Sequence, residues 1–300
     1  MMIYMLLSLA FSYFVPSLSD EINHCDYCDI LLGGLAPVHG KHQDESKFGE
    51  CSDDFNDFAM PRVEAMLFAV DQINNDSNLL NGVQLGITIQ DTCGIESVAT
   101  QNAKAFVSSK FQCSDNLMMR DADPIAPYFA GVIGGMYSSV SIAVATFLQP
   151  WYIPQVSPAS TSIKLSDTER YKYFARTVPS DTYQNRVIVD ILERLNWKLI
   201  STIVSDGSFP EQGINEFHEM ANEKGICNAM SEVVPNNPTD EMFTEILCKI
   251  LLRTESNVVV LFTNVEDTRR ILATVARLRQ HTPGNIKFKR LELGACIIVN

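Results

Sequence analysis

From residue 29 onward the chain alternates short apolar runs with amphipathic stretches of helical period, a pattern that few architectures accept. Residues 29–38, DILLGGLAPV, form an apolar run closed by Gly and Pro and read as a buried strand. Residues 61–75 set Val63, Met66, Leu67, Val70 and Ile73 on one helical face. Val83, Leu85, Ile87 and Ile89 alternate as a strand does. Further helices are expected at 98–109, 138–148, 182–195, 211–224, 241–252 and 267–279, with strands at 129–133, 153–156, 173–178, 199–204, 226–234 and 258–263. On the 182–195 helix, Val187, Ile188, Ile191 and Leu192 share the apolar face. Residues 111–127 are polar and irregular, the pattern of a long loop, and 281–300 break the alternation. Strands alternating with helices give parallel sheets covered on both faces. Two such blocks meet near residues 157–182, so the expected architecture is a two-lobed α/β clamp with a ligand cleft between the lobes.

The bulk numbers narrow the class of partner. Three hundred residues bury a large core and make one or two domains. A formal net charge of −13 argues against nucleic acid and against charge-driven binding to anionic membranes. It does not exclude an anionic ligand, because one arginine in a cleft outweighs a distant field. Residues 3–15 are almost wholly apolar and are followed by the small residues Ser17 and Ser19. That run is short for a membrane span and reads as a signal peptide over residues 1–19, although no Lys or Arg precedes it and a signal anchor stays open. Eight cysteines in an exported chain imply disulfides. Cys25-x-x-Cys28 beside His24 admits zinc, a redox pair or an extra disulfide, the last being favoured because a lone CxxC is weak evidence for zinc. Asn75-Asp76-Ser77 is a glycosylation sequon, so Asn75 is a candidate acceptor.

The chemistry concentrates between Gly131 and Asp181. An apolar strand, a Gly-rich turn and two serines opening a helix are followed by a second strand and the Ser/Thr-rich loop around Ala159, Ser160 and Thr161. Asp181 then follows Pro179-Ser180 ahead of another helix. This order places hydroxyls, free N–H groups and one carboxylate at the same end of a sheet, where ligands of open α/β folds bind. Donors for a carboxylate with an acceptor for an amine suit a small zwitterion. Each residue also has a plain structural role: Ser138 and Asp181 as helix N-caps, Thr161 as a turn residue, Arg62 as a surface helical arginine.

Ordered motifs along the chain resemble those of metabotropic glutamate receptors, class C G-protein-coupled receptors. They are ILLGGLAPVH (30–39), RVEAMLFAVDQIN (62–74), GVIGG (131–135), IPQVSPASTSIKLSD (153–167), YFARTVPSD (173–181) and NVVVLFT (257–263). The resemblance implies a Venus-flytrap module of the type I periplasmic-binding-protein fold, with lobe 1 over residues 20–180, part of lobe 2 over 181–280 and a divergent tail over 281–300. It implies an L-glutamate-like ligand, a receptor homodimer, and G-protein signalling through a membrane domain outside this sequence. By the same resemblance Ser138 holds the α-carboxylate, Thr161 meets carboxylate and amine, Ala159 contributes backbone, Asp181 faces the ammonium and Arg62 grips a distal carboxylate. Phe209 stands where the family has a tyrosine, and Phe58 where relatives carry Tyr or Arg, so polar contacts are lost at both. The family's second-lobe acid and distal lysine have no counterpart, so a C-terminally incomplete ectodomain is expected. The resemblance pairs Cys51 with Cys93, makes Cys113 the intersubunit cysteine and leaves Cys227 without its usual partner. Cys248 reads as a helix core residue.

No GxSxG, P-loop, GxGxxG or HExxH occurs, and five scattered histidines show no metal spacing, so neither an enzyme nor a cofactor is implied. The expected setting is the extracellular face of the plasma membrane. The rival reading is a soluble, truncated amino-acid-binding decoy or a dimerisation fragment without signalling.

Overall fold

The computed structural model describes residues 21–25, 28–42, 50–115, 127–205, 208–235, 238–253, 256, 258–281 and 296–299. The expected signal peptide lies outside them. The chain divides into two compact units, Met1–Val178 and Pro179–Asn300.

The first unit is built on a six-stranded sheet in the order β1-β5-β2-β6-β7-β8. Its strands are β1 (Glu21–His24), β2 (Ile30–Ala36), β5 (Leu85–Asp91), β6 (Tyr128–Gly134), β7 (Gln155–Ser157) and β8 (Phe174–Arg176). All pair in parallel except β1, which runs antiparallel to β5 along the outer edge. β3 (His39–Lys41) and β4 (Cys51–Phe55) pair as a separate antiparallel ribbon. Helix α1 (Met60–Asn75) joins β2 to β5, α2 (Glu96–Asp115) joins β5 to β6, and α3 (Ser138–Leu148) joins β6 to β7.

Each face of this sheet is covered by different helices. Val63, Met66 and Val70 of α1 pack on Ile87, Ile89 and Ala36, with Leu67 and Ile73 partly buried beside them. On the other face, Ala99, Ala103 and Phe106 of α2 and Val140, Val144 and Leu148 of α3 meet Leu35, Phe129 and Val132. Every residue of β5 is buried, so the alternation read there separates two covered faces and not a wet from a dry one. The expected loop at 111–127 is corrected at its start, because α2 continues to Asp115. No Gly or Pro interrupts 96–115, so nothing stops the helix before then. Cys113 is in that last turn, its side chain outside the described part. Cys25 is bonded to Cys28, and Cys51 to Cys93.

The second unit carries four parallel strands in the order β10-β9-β11-β12: β9 (Leu199–Ser205), β10 (Cys227–Val234), β11 (Val258–Phe262) and β12 (Cys296–Val299). Its helices are α4 (Asp181–Arg194), α5 (Ser208–Glu223), α6 (Asp240–Arg253) and α7 (Val265–His281). Period-2 geometry is explicit here. Ile200, Val204, Val258, Val260 and Phe262 pack with α4 and α5, including Phe217, whereas Ile203, Val259 and Leu261 pack with Phe243 and Ile246 of α6 and Ile271 of α7. The apolar face of α4 is rotated from the expected one. Ile188, Val189 and Leu192 are buried, while Val187 and Ile191 are exposed. Cys248 is half-buried, and Cys227, at the start of edge strand β10, is exposed.

His218 of α5 lies against Thr202 of β9 (Nε2 to Oγ1, 3.4 Å), and burial lowers its pKa below the ordinary 6.5. The neutral ring is therefore the form the fold accommodates. Its contribution is complete above the unfolded pKa and is lost as pH falls below 6.5 toward the lower folded value. Thermal unfolding followed from pH 7.5 to 5 is expected to show a falling midpoint, with a shallower decline in His218→Gln. Parallel profiles would exclude His218 as the cause.

Candidate functional site

Topology selects the site before chemistry does. In the first sheet the chain leaves β2 toward β5 on one side, then returns across to β6 on the other. β2 and β6 thus flank a topological switch point, and their carboxyl ends open a crevice where ligands of such sheets bind. β6 ends at Gly134 and turns through Gly135 into α3, while β7 ends beside it and runs into the 158–162 loop.

The turn is possible only with glycine at two positions. Gly134 has φ +122°, and a Cβ there would lie 2.2 Å from the Leu35 carbonyl oxygen. Gly135 has φ +32°, and a Cβ there would meet Ser141 Oγ at 2.4 Å.

Ser138 is the first residue of α3, not its N-cap. Tyr137 holds the cap position in an extended conformation and makes no side-chain capping bond. The first helical bond runs from Ser141 N–H to the Tyr137 carbonyl, so the N–H groups of Ser138, Ser139 and Val140 have no partner among the described residues. A helix N-terminus with free N–H groups attracts a carboxylate. Ser138 Oγ accepts from Ser162 N–H at 3.2 Å, which leaves its own proton for a ligand.

That bond ties α3 to the loop carrying Ala159 and Thr161. Ala159 N–H points to Ser157 Oγ (3.3 Å), and Ser160 N–H donates to the same oxygen (3.0 Å). Thr161 is half-buried, and neither its hydroxyl nor its backbone has a partner among the described residues. Beneath the loop, the Gly135 carbonyl collects hydroxyls from Ser141 (3.1 Å), Ser157 (2.8 Å) and Ser160 (3.1 Å), and Ser141 Oγ lies 2.7 Å from Ser160 Oγ. All three serines are fully buried. Sequence reasoning missed this cluster; its signal was Ser141 on the apolar face of α3.

Arg62 is the third residue of α1 and exposed. A helix joining two parallel neighbours runs back against them, so its N-terminus shares the carboxyl edge with Ser138 and Thr161. One Arg62 nitrogen donates to the Phe58 carbonyl, and Phe58 itself is 72% exposed. Behind this edge, buried Asp91 at the end of β5 accepts from Val38 N–H (2.8 Å), Cys93 N–H (2.8 Å), His39 N–H (3.1 Å) and His39 Nδ1 (2.6 Å). It secures the ends of β2 and β5 beside the Cys51–Cys93 bridge.

Asp181 and Phe209 belong to the second unit. Asp181 is the first residue of α4, and its cap is Ser180, whose Oγ accepts from Thr182 N–H at 3.4 Å. Ser208, Phe209 and Pro210 form the first turn of α5, a place where proline costs no helical bond; the Phe209 side chain lies outside the described part. Asn75, the last residue of α1, is exposed and donates its side-chain N–H to the Asp71 carbonyl (2.8 Å). At the second sheet's own switch point, buried Asp267 accepts from Ser205 Oγ (2.6 Å) and Asn264 Nδ2 (2.8 Å), while Asn264 Oδ1 caps α7 by accepting Asp267 N–H (2.8 Å).

Two α/β units of largely parallel strands, the first with, among the described residues, unbonded helix N–H groups and a threonine without a hydrogen-bond partner at its carboxyl edge, have the architecture of a ligand-binding module. Residues 61–285 match the profile of the receptor family ligand binding region, and the chain belongs to that family. It is 43% identical over 265 residues to the metabotropic glutamate receptor of Drosophila melanogaster, 85% of this chain and 27% of that protein. It is 39% identical over 260 residues to metabotropic glutamate receptor 8 of mouse (84% and 28%) and 40% over 259 residues to metabotropic glutamate receptor 4 of Macaca fascicularis (84% and 28%). The chain thus spans under a third of the length of these relatives. Among the described residues no helix is long and apolar enough to cross a membrane.

Proposed function

We propose that this chain is the extracellular amino-acid-binding region of a metabotropic-glutamate-receptor-like protein, and that it takes L-glutamate or a close analogue. The observation that carries this reading is the junction of α3 with the 158–162 loop, where helix N–H groups and a Thr161 without partners among the described residues stand beside the Ser138 hydroxyl. That set suits an α-carboxylate, with Thr161 able to donate to it and to accept from the amine. Arg62 would select an acidic side chain by a forked, charge-assisted contact, and Asp181 would balance the ammonium. Dimerisation, through Cys113 among other contacts, and G-protein activation belong to the full-length receptor. Binding, not catalysis, is the activity of the family.

Calorimetric titration of L-glutamate, glycine and GABA into secreted protein of residues 20–300 tests this. Saturable glutamate binding is expected, weakened roughly tenfold or more in Thr161→Ala because a desolvated charge loses its partner. Arg62→Ala should reduce glutamate affinity more than glycine affinity. A folded, monodisperse protein that binds none of the three would overturn the proposal.

A further inference from the structure

The two neighbours of Thr161 are held at both ends of their peptide groups, and the residue holding their carbonyls comes from outside the loop. Arg176, on edge strand β8, donates through one nitrogen to the Ser160 carbonyl (3.3 Å) and the Ser162 carbonyl (2.9 Å). Its other terminal nitrogen donates to Ser166 Oγ at 2.5 Å. The N–H groups of the same two residues are taken by Ser157 Oγ (3.0 Å) and Ser138 Oγ (3.2 Å). Ser160 is fully buried and Ser162 nearly so. Thr161 alone in this tripeptide has no hydrogen-bond partner among the described residues.

We infer that Arg176 is a positioning residue for amino-acid binding, acting through the loop and not by touching the ligand. The inference rests on the proposed site at Ser138 and Thr161. Two effects follow from the geometry. First, a planar guanidinium spanning two carbonyls separated by one residue fixes the path of the peptide between them, and so the place of the Thr161 hydroxyl. Second, carbonyl oxygens facing an anion repel it. By drawing the Ser160 and Ser162 carbonyls to itself, Arg176 turns these acceptors away and leaves the Thr161 hydroxyl and N–H as the loop's donors for the carboxylate. Lysine reproduces this only in part: one ammonium nitrogen can reach both carbonyls, but it lacks the second nitrogen that Arg176 places on Ser166 Oγ.

The test compares wild type with Arg176→Met and Arg176→Lys in the full chain, with L-glutamate titration, thermal unfolding, and hydrogen exchange of the Thr161 and Ser162 amides without ligand. Arg176→Met is expected to weaken glutamate roughly tenfold, the cost of a charge-assisted bond lost from a preorganised loop, and to speed Ser162 exchange. Arg176→Lys should recover part of each. Leu192→Val, a buried change in the second unit, serves as a control for general weakening: it lowers the unfolding midpoint without altering affinity. Unchanged Ser162 exchange in Arg176→Met, or glutamate affinity reduced no more than in Leu192→Val, would overturn the inference. If wild type binds no amino acid the site reading fails instead, and the exchange data alone decide whether Arg176 orders the loop.

Discussion

Gly134→Ala is expected to be the most damaging single substitution near the site. The backbone there has φ +122°, a region closed to residues with a Cβ, and the added carbon would lie 2.2 Å from the Leu35 carbonyl oxygen. The obstacle is backbone on the central strand β2, paired with Gly134 itself, so no side-chain rotation relieves it. A loss of at least about 3 kcal/mol is expected from strain and displacement together. Urea unfolding of the first unit should show a lower midpoint at unchanged slope. A midpoint equal to wild type would mean that the turn from β6 into α3 is not built as described.

The second large effect is at Asp91. Its carboxylate receives three backbone N–H groups and one imidazole nitrogen at a site only 7% exposed. Asp91→Ala strands these donors at roughly 1–3 kcal/mol each where water cannot enter. His39→Ala removes one of the four donors and leaves the carboxylate with three, so its loss should be much smaller. Equal losses in the two variants, measured by denaturant unfolding, would show that the imidazole contact and not the backbone clamp dominates.

Most of the architecture was legible because its strands and helices differ in hydrophobic period. β11 and α3 follow directly from Val258–Phe262 and Ser138–Leu148. The misses have physical causes. β1 and β4 are short edge or ribbon strands of polar composition, EINH and CSDDF, without a buried face to impose a period. On α4 the pairs 187/191 and 188/192 are equally apolar in sequence, and only packing against β9 and α5 chooses between them. The site was legible in part. Ser138 and Thr161 could be named through the resemblance of their motifs, since by pattern alone each also reads as a cap or turn residue. Their support could not be, since Arg176 reaches the loop across the sheet edge, and Asp91 is one acid among 36 until its four donors are seen.

The hydroxyls gathered on the Gly135 carbonyl bear on the rate of recognition. On the function proposed above, a loop whose flanking peptide groups are already bonded has lost its disorder when the unit folds, so little would remain to be ordered when an amino acid arrives. Encounter then needs no rearrangement of this edge. Discrimination between one amino acid and another falls mainly on how long each stays, and competing ligands should separate by residence time while their arrival rates remain close.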